Sequence, residues 1–245
     1  MPIAGDQISR LEDGSFSLSE IPPGFQVVLS LVYDGIVKIL PRSFYERHPS
    51  LVARGLLGKV LVRRLGERTV SGRIVETEAY SSDDPASHAY RGLTPGNRAL
   101  FDEPGRAYIY FTYGMHFCFN VVARRGKPAG GVLIRALEPL EGVDAMARRR
   151  RTKRLRDLAS GPGKLTRALG LTMRFYGGDL TRRGDLFISD PGDGRRIRVV
   201  RTPRIGVRAG TDRLWRFLVE DSPYVSGRVG PPPAGRAAHP RPTPV

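Results

Sequence analysis

Two glutamates one residue apart, a group of tyrosines and a single arginine are the side chains best suited to chemistry in this chain. Glu76 and Glu78 lie in Glu76-Thr77-Glu78-Ala79-Tyr80, with His88 following. Tyr108, Tyr110, Tyr113, His116 and Asn120 make the most aromatic stretch, and Arg135 stands in Leu133-Ile134-Arg135-Ala136-Leu137-Glu138-Pro139. A carboxylate at a strand end, beside aromatic rings and an arginine, suits activation of water. The plainer reading of Glu78 is a strand carboxylate neutralised by an arginine, and Glu76 is its rival for any catalytic role. Tyr108 and Tyr110 can equally be core residues with a hydroxyl at the rim. Tyr113 differs, because a large aromatic at an exposed turn has no core to fill; it is either an ordinary exposed tyrosine or a wedge that enters a base stack. His48, His88, His116 and His239 show neither HxxxH nor HExxH spacing, so neither a metal site nor a cofactor is expected.

These residues need elements to position them. Lys59 to Arg64 and Thr69 to Tyr80 read as strands joined at Gly66, and a period of two places Ile74, Glu76, Glu78 and Tyr80 on one face. Ala107 to Val122 reads as a hairpin turning at Thr112-Tyr113-Gly114-Met115, where Gly114 can take a positive φ. Val132 to Leu137, Leu186 to Ser189, Arg204 to Val207 and Leu214 to Val219 read as further strands. Helices are expected over Ser43 to Leu57, irregular around Pro49, and over Glu141 to Arg156; Ser160-Gly161-Pro162-Gly163 then breaks the chain before a helix from Lys164 to Leu169. Ser81 to Gly96 is a loop rich in Ser, Asp, Pro and Gly.

Charge narrows the partner. Among 245 residues, 40 Lys and Arg face 24 Asp and Glu, a net +16. An excess of this size points to a polyanion, most simply nucleic acid. Much of it lies in Arg148-Arg149-Arg150-Arg151-Thr152-Lys153-Arg154-Leu155-Arg156, a run that supplies affinity rather than sequence reading; its competing reading is a solvated helix face. Ser160-Gly161-Pro162-Gly163-Lys164 could seat a phosphate on backbone N–H groups, or be a simple turn between helices. No apolar run reaches the length of a membrane span, and one cysteine, Cys118, excludes an internal disulfide. The opening residues lack a secretory signal, so an intracellular setting is expected, the cytoplasm or nucleoid in a bacterium. Gly230 to Val245 holds six prolines and reads as a flexible tail.

Five motifs occur in one order: Gly72 to Tyr80; Thr94-Pro95-Gly96-Asn97-Arg98; Tyr108 to Asn120 with Tyr113-Gly114-Met115; Arg135 to Gly142; and Ser160 to Leu165. With these residues the chain closely resembles the alkyladenine (3-methyladenine) DNA glycosylase family, from about Ile39 to Ser226. The resemblance implies an α+β fold: one mixed domain over residues 39–226 with a curved, largely antiparallel sheet, a protruding hairpin and surrounding helices. Residues 1–38 form an N-terminal extension and 227–245 a Pro-rich tail. It implies a monomer acting on double-stranded DNA that contains damaged purines.

The resemblance also implies roles. The damaged nucleotide is flipped out of the stack, and Tyr113 fills the gap. Tyr80 stacks on one face of the base, His88 and Tyr110 on the other. Glu78 orients and deprotonates water, Arg135 holds that water or the adjacent phosphate, and Asn120 at the pocket floor disfavours guanine. Arg98 and Lys164 match basic positions suited to the DNA backbone. An alkylated purine already carries positive charge and leaves without a strong acid, which fits one prominent carboxylate rather than two. A neutral lesion such as hypoxanthine would need a proton donor that the sequence does not name. No lysine in the matching motif offers an amine nucleophile, so the abasic site is expected to stay intact. Two alternatives stand beside this reading: a helix-hairpin-helix glycosylase using Asp179 after Gly161-Pro162-Gly163, and a non-catalytic basic protein that binds nucleic acid.

Overall fold

The computed structural model describes residues 38–227 except Tyr113, Arg125 and Lys127. The expected wedge at Tyr113 and both terminal segments therefore lie outside the described residues. Among the described residues nine strands form one sheet, every pairing antiparallel: β1 (Lys38–Ile39), β2 (Val60–Leu65), β3 (Arg68–Ser81), β4 (Ala107–Thr112), β5 (His116–Val122), β6 (Gly130–Glu141), β7 (Leu186–Asp190), β8 (Val199–Thr202) and β9 (Arg216–Val219). The main path is β1-β7-β2-β3-β6-β5-β4, and β9 joins β3 with β8 on its far side. Helices α1 (Arg42–Tyr45), α2 (Pro49–Leu56), α3 (Val143–Arg150), α4 (Leu155–Leu158) and α5 (Pro162–Leu169) surround it. The fold is α+β, as expected.

The central strand β3 decides where the site can be. Its first half pairs with β2, from Arg68 to Arg73, and its second half with β9, from Glu76 to Glu78. The exchange of neighbours falls at a bulge. Ile74 stands opposite Leu137 and Glu76 opposite Ala136, which leaves Val75 as an extra residue. On β6 the next step runs from Ala136 to Ile134, opposite Glu76 and Thr77, so Arg135 is the extra residue there. Bulges re-aim side chains. Ile74 thus faces the main core with Ala79, Ile134 and Leu137, whereas Val75 packs with Ala136, Leu218 and Val225. The expected single face of Ile74, Glu76, Glu78 and Tyr80 is corrected: Ile74 belongs to the opposite face, because the bulge resets the period between it and Glu76.

The hairpin β4–β5 is as expected. Only Asn120 to Val122 of β5 pair with β6, so the outer half runs beyond the neighbouring strand, with Phe111 and Met115 exposed. Gly114, at φ +65°, takes the left-handed position of its turn. The hairpin's outer half is braced by α5, whose Thr166 hydroxyl donates to the Phe117 carbonyl.

Other expectations change. The helix expected over Ser43 to Leu57 is two helices, because Pro49 starts α2 at its first turn and His48 caps it by accepting from the Ser50 N–H. The helix expected over Glu141 to Arg156 ends at Arg150, where Arg151 takes φ 53°. The reversal is held by arginines turned inward: Arg150 donates to the Leu158 carbonyl and Arg149 to that of Ala168. Helix α5 starts two residues early, at Pro162. Arg204 to Val207 is not a strand; the strand of that region is β8, Val199–Thr202.

Candidate active site

The carboxylates of β3 are both fully buried. An ionised carboxylate has about four acceptor positions. Four donors reach Glu76: Arg135 Nε at 3.2 Å, Arg216 Nε at 2.6 Å and the Ser226 hydroxyl at 3.0 Å crowd Oε1, and the Ser226 N–H reaches Oε2. Three converge on Glu78. The Tyr80 hydroxyl donates to Oε2 at 2.8 Å, Arg135 NH1 donates to Oε2 at 3.1 Å, and the Ile205 N–H donates to Oε1 at 2.7 Å. Oε1 keeps one acceptor position. The two differ in where their donors sit: Arg216 and Ser226, which hold Glu76, are absent from the cavity lining, whereas every donor to Glu78 belongs to a residue that lines it.

Glu78 lies directly behind the wall of a cavity of about 400 Å³, a volume suited to a small organic molecule. Two of its three donors belong to residues of that wall by side chain, Tyr80 and Arg135, and the third, Ile205, lines it too. Tyr80, His88, Tyr108 and Tyr110 give the cavity its aromatic surface, and Asn120, Cys118 and Thr112 add polar groups. Period-two alternation supplies much of this: Tyr108, Tyr110 and Thr112 come from β4, and Cys118 and Asn120 from β5.

Electrostatics fix the protonation of the donors. Burial, reinforced by the charge of Glu78, pushes the Tyr80 hydroxyl well above the ordinary tyrosine range, so it stays a donor. Burial opposes the charge of Arg135, but Glu78 and Glu76 outweigh it and raise the pKa. Burial also raises Tyr110 and the Cys118 thiol, which leaves Cys118 a neutral thiol rather than a nucleophile. At the mouth, the His88 ring packs edge-on against Tyr110 at 4.5 Å and its Nδ1 is 2.7 Å from the Tyr108 hydroxyl. Desolvation there lowers its pKa, so the imidazole is neutral near pH 7. Asn120 is buried, with its amide donating to the Tyr108 carbonyl at 3.2 Å.

The structure therefore brings together Glu78, Arg135, Tyr80, His88, Tyr110 and Asn120. It does not gather the basic pair. Arg98 is exposed on the 3-10 turn Pro95–Phe101. Lys164 is tied to Asp157 at 3.2 Å and Ser160 at 3.3 Å, so its charge is already partnered. The small residue at Gly163 has a packing reason: a Cβ there would come within 2.8 Å of the His116 ring. Asp179 is absent from the cavity lining and bound to Arg42 and Thr181. Sequence reasoning missed Ile205, Arg216 and Ser226. All lie more than 120 residues from the glutamates they bind, and two act through backbone groups that carry no residue-type signal.

An aromatic slot with a buried, arginine-held carboxylate behind it has the shape for a planar ring and the charge for acid–base chemistry. Similarity to known proteins agrees. The methylpurine-DNA glycosylase family model matches residues 43–223. A relative from Carboxydothermus hydrogenoformans is 47% identical over 188 residues, 77% of this chain and 98% of its own. One from Koribacter versatilis is 49% identical over 194 residues, covering 77% and 93%, and one from Chlorobaculum tepidum is 46% identical over 204 residues, covering 82% and 97%. Each is named "Putative 3-methyladenine DNA glycosylase". This chain belongs to the methylpurine-DNA glycosylase family. It is a DNA glycosylase, a hydrolase of N-glycosyl bonds. Among the described residues no helix is long and apolar enough to cross a membrane.

Proposed function

We propose that this enzyme excises alkylated purines of the 3-methyladenine type from double-stranded DNA, acting inside the cell as a monomer and leaving the abasic site intact. Residues 39–226 are the glycosylase domain in this reading. The damaged nucleotide is flipped out of the duplex, Tyr113 occupies the space it leaves, and the base enters between Tyr80 and the rings of His88 and Tyr110. Arg98 and Lys164 lie along the DNA backbone, and Asn120 discriminates against guanine's exocyclic amine.

The observation that carries the reading is that all three donors to Glu78, from Tyr80, Arg135 and Ile205, belong to residues lining the cavity and leave one acceptor position on Oε1 for a water there, whereas Arg216 and Ser226, which hold Glu76, are absent from that lining. A water placed there donates one proton toward Glu78 and directs its lone pair at the sugar carbon. As the C–N bond breaks, its electron pair neutralises the positive charge of the alkylated base, and the water's lone pair forms the new bond to the oxocarbenium-like carbon. The proton passes to Glu78. Arg135 balances the carboxylate's charge in the ground state. Among the described residues no lysine lines the cavity, which favours water over an enzyme amine as nucleophile.

The test is release of free methylpurine from duplex DNA treated with dimethyl sulfate. Wild-type protein is expected to release base without strand cleavage and without a borohydride-trapped adduct, and Glu78→Gln to lose the activity while still binding DNA. Salt-sensitive binding with no base release would leave only a non-catalytic nucleic-acid-binding protein.

A further inference from the structure

The loop that follows β8 is a strand by its sequence pattern, and its actual course gives one residue an unexpected reach. Arg204 is buried, and its side chain forms an ion pair with Asp84 in which neither side chain touches solvent. Its NH2 donates to Asp84 Oδ1 at 3.0 Å and to the Gly210 carbonyl at 3.1 Å; its NH1 donates to the other Asp84 oxygen and, at 2.9 Å, to the Ala79 carbonyl. Its guanidinium lies 4.7 Å from the centre of the Tyr80 ring and 5.6 Å from that of Trp215, within cation–π range of both.

Three walls of the cavity meet on this pair. The first is the end of β3, where Ala79 is the residue between Glu78 and Tyr80. The second is the loop 81–88: Asp84 also accepts from the Ala86 N–H and its carbonyl from the Ser87 N–H, next to His88. The third is the segment 203–210, where Ile205, the neighbour of Arg204, gives its N–H to Glu78. Gly210 fits this tightly. At φ +58° it takes the left-handed conformation, and a Cβ there would fall 2.7 Å from Asp84 Oδ1 and 3.0 Å from Arg204 NH2.

We propose that Arg204, through Asp84, is a positioning residue for the reaction: it sets the Ile205 N–H against Glu78 and holds the plane of Tyr80 relative to His88. The proposal rests on Glu78 being the residue that activates water. Arg204 itself is absent from the cavity lining, so it acts through its neighbours. A planar, bidentate fork is needed for four acceptors in three segments, which an ammonium cannot reproduce. Displacing a reacting group by about 1 Å costs on the order of 100-fold in rate.

The experiment compares wild type, Arg204→Lys, Asp84→Asn, Gly210→Ala and Glu78→Gln on dimethyl-sulfate-methylated duplex DNA. Thermal unfolding, DNA affinity and the single-turnover rate of base release at saturating enzyme are measured for each. The expected result is that the three strut variants melt at a lower temperature, because each disturbs a fully buried ion pair, yet fold and bind DNA at the assay temperature, while single-turnover release per folded molecule falls roughly 10- to 100-fold. A purely structural role would lower the melting temperature and leave the rate of the folded fraction unchanged. Folded Arg204→Lys and Asp84→Asn proteins that release base at the wild-type rate would overturn the proposal. So would a failure of even these conservative variants to fold, since the pair would then serve global stability. Full activity in Glu78→Gln is a different failure: it removes the catalytic reading itself, whatever the strut variants do.

Discussion

The carboxylate end of β3 and the arginine-rich segment 148–156 both concentrate charge, and they treat it in opposite ways. At β3, Glu76 and Glu78 are fully sequestered, Arg135 nearly so, and every charge has a fixed partner. In the segment, Arg149 and Arg150 turn inward to cap helix carbonyls, but Arg148, Arg151, Lys153, Arg154 and Arg156 stay exposed. In water such charges interact over long range and yield to salt; in a buried site they are strong, short-ranged and fixed in geometry. The exposed arrangement suits attraction of a polyanion of any sequence, and the buried one suits a single reacting atom. Net charge reports on the former and is silent on the latter.

The sharpest way to separate the two regions is Glu78→Gln. It should reduce single-turnover base release by about 10²- to 10⁴-fold, the usual contribution of a general base, with DNA affinity unchanged. Next is Glu76→Ala. Removing one partner from a buried ion-pair network costs about 3–5 kcal/mol, so this variant should unfold at a much lower urea concentration, and Arg135 and Arg216 would be left uncompensated. A stability equal to wild type would break the distinction between the two glutamates. Arg154→Gln with Arg156→Gln should leave the saturated rate untouched and flatten the salt dependence of binding by about 0.9 in log–log slope for each phosphate no longer neutralised. An unchanged slope would remove the segment from the DNA interface.

A smaller effect involves pH. Desolvation holds the His88 pKa below its ordinary value of about 6.5, so the unfolded chain binds this proton more readily than the native one. The associated stability is present above the ordinary pKa and is lost as pH falls through the folded value. Melting temperatures measured downward from about pH 7.5 should therefore decline more gently in His88→Gln than in wild type. The smallest effect expected is that of Asp179→Asn, which should leave turnover at the wild-type level because Asp179 is engaged with Arg42 and Thr181 and is absent from the cavity lining. Loss of turnover there would restore the helix-hairpin-helix reading.

Much of this was legible in the residues. The strands on either side of Gly66, the hairpin turning at Gly114 and the strand bearing Arg135 follow from alternation and turn chemistry, which are local. The errors have non-local causes. The period of two placed Ile74 with Glu76, but pairing with β6 inserts Val75 as a bulge and separates them. Ile205 and Val207 suggest a strand by their branched side chains; the Ile205 N–H instead serves Glu78, a group 127 residues away. A continuous helix through Arg151 is favoured by local propensity, yet carbonyls of α4 and α5 capture the arginines before it and the chain reverses.

By itself, the sequence determined the family, through five ordered motifs, and the set of aromatic and charged groups available to the site. Side-chain chemistry is a property of residue type, and alternation along a strand is enough to place Tyr80 with Glu78. The tertiary structure alone decided which glutamate is held by the walls of the cavity. That depends on which donors reach each carboxylate, and the deciding ones are Ile205 for Glu78 and Arg216 and Ser226 for Glu76, brought to β3 from far along the chain.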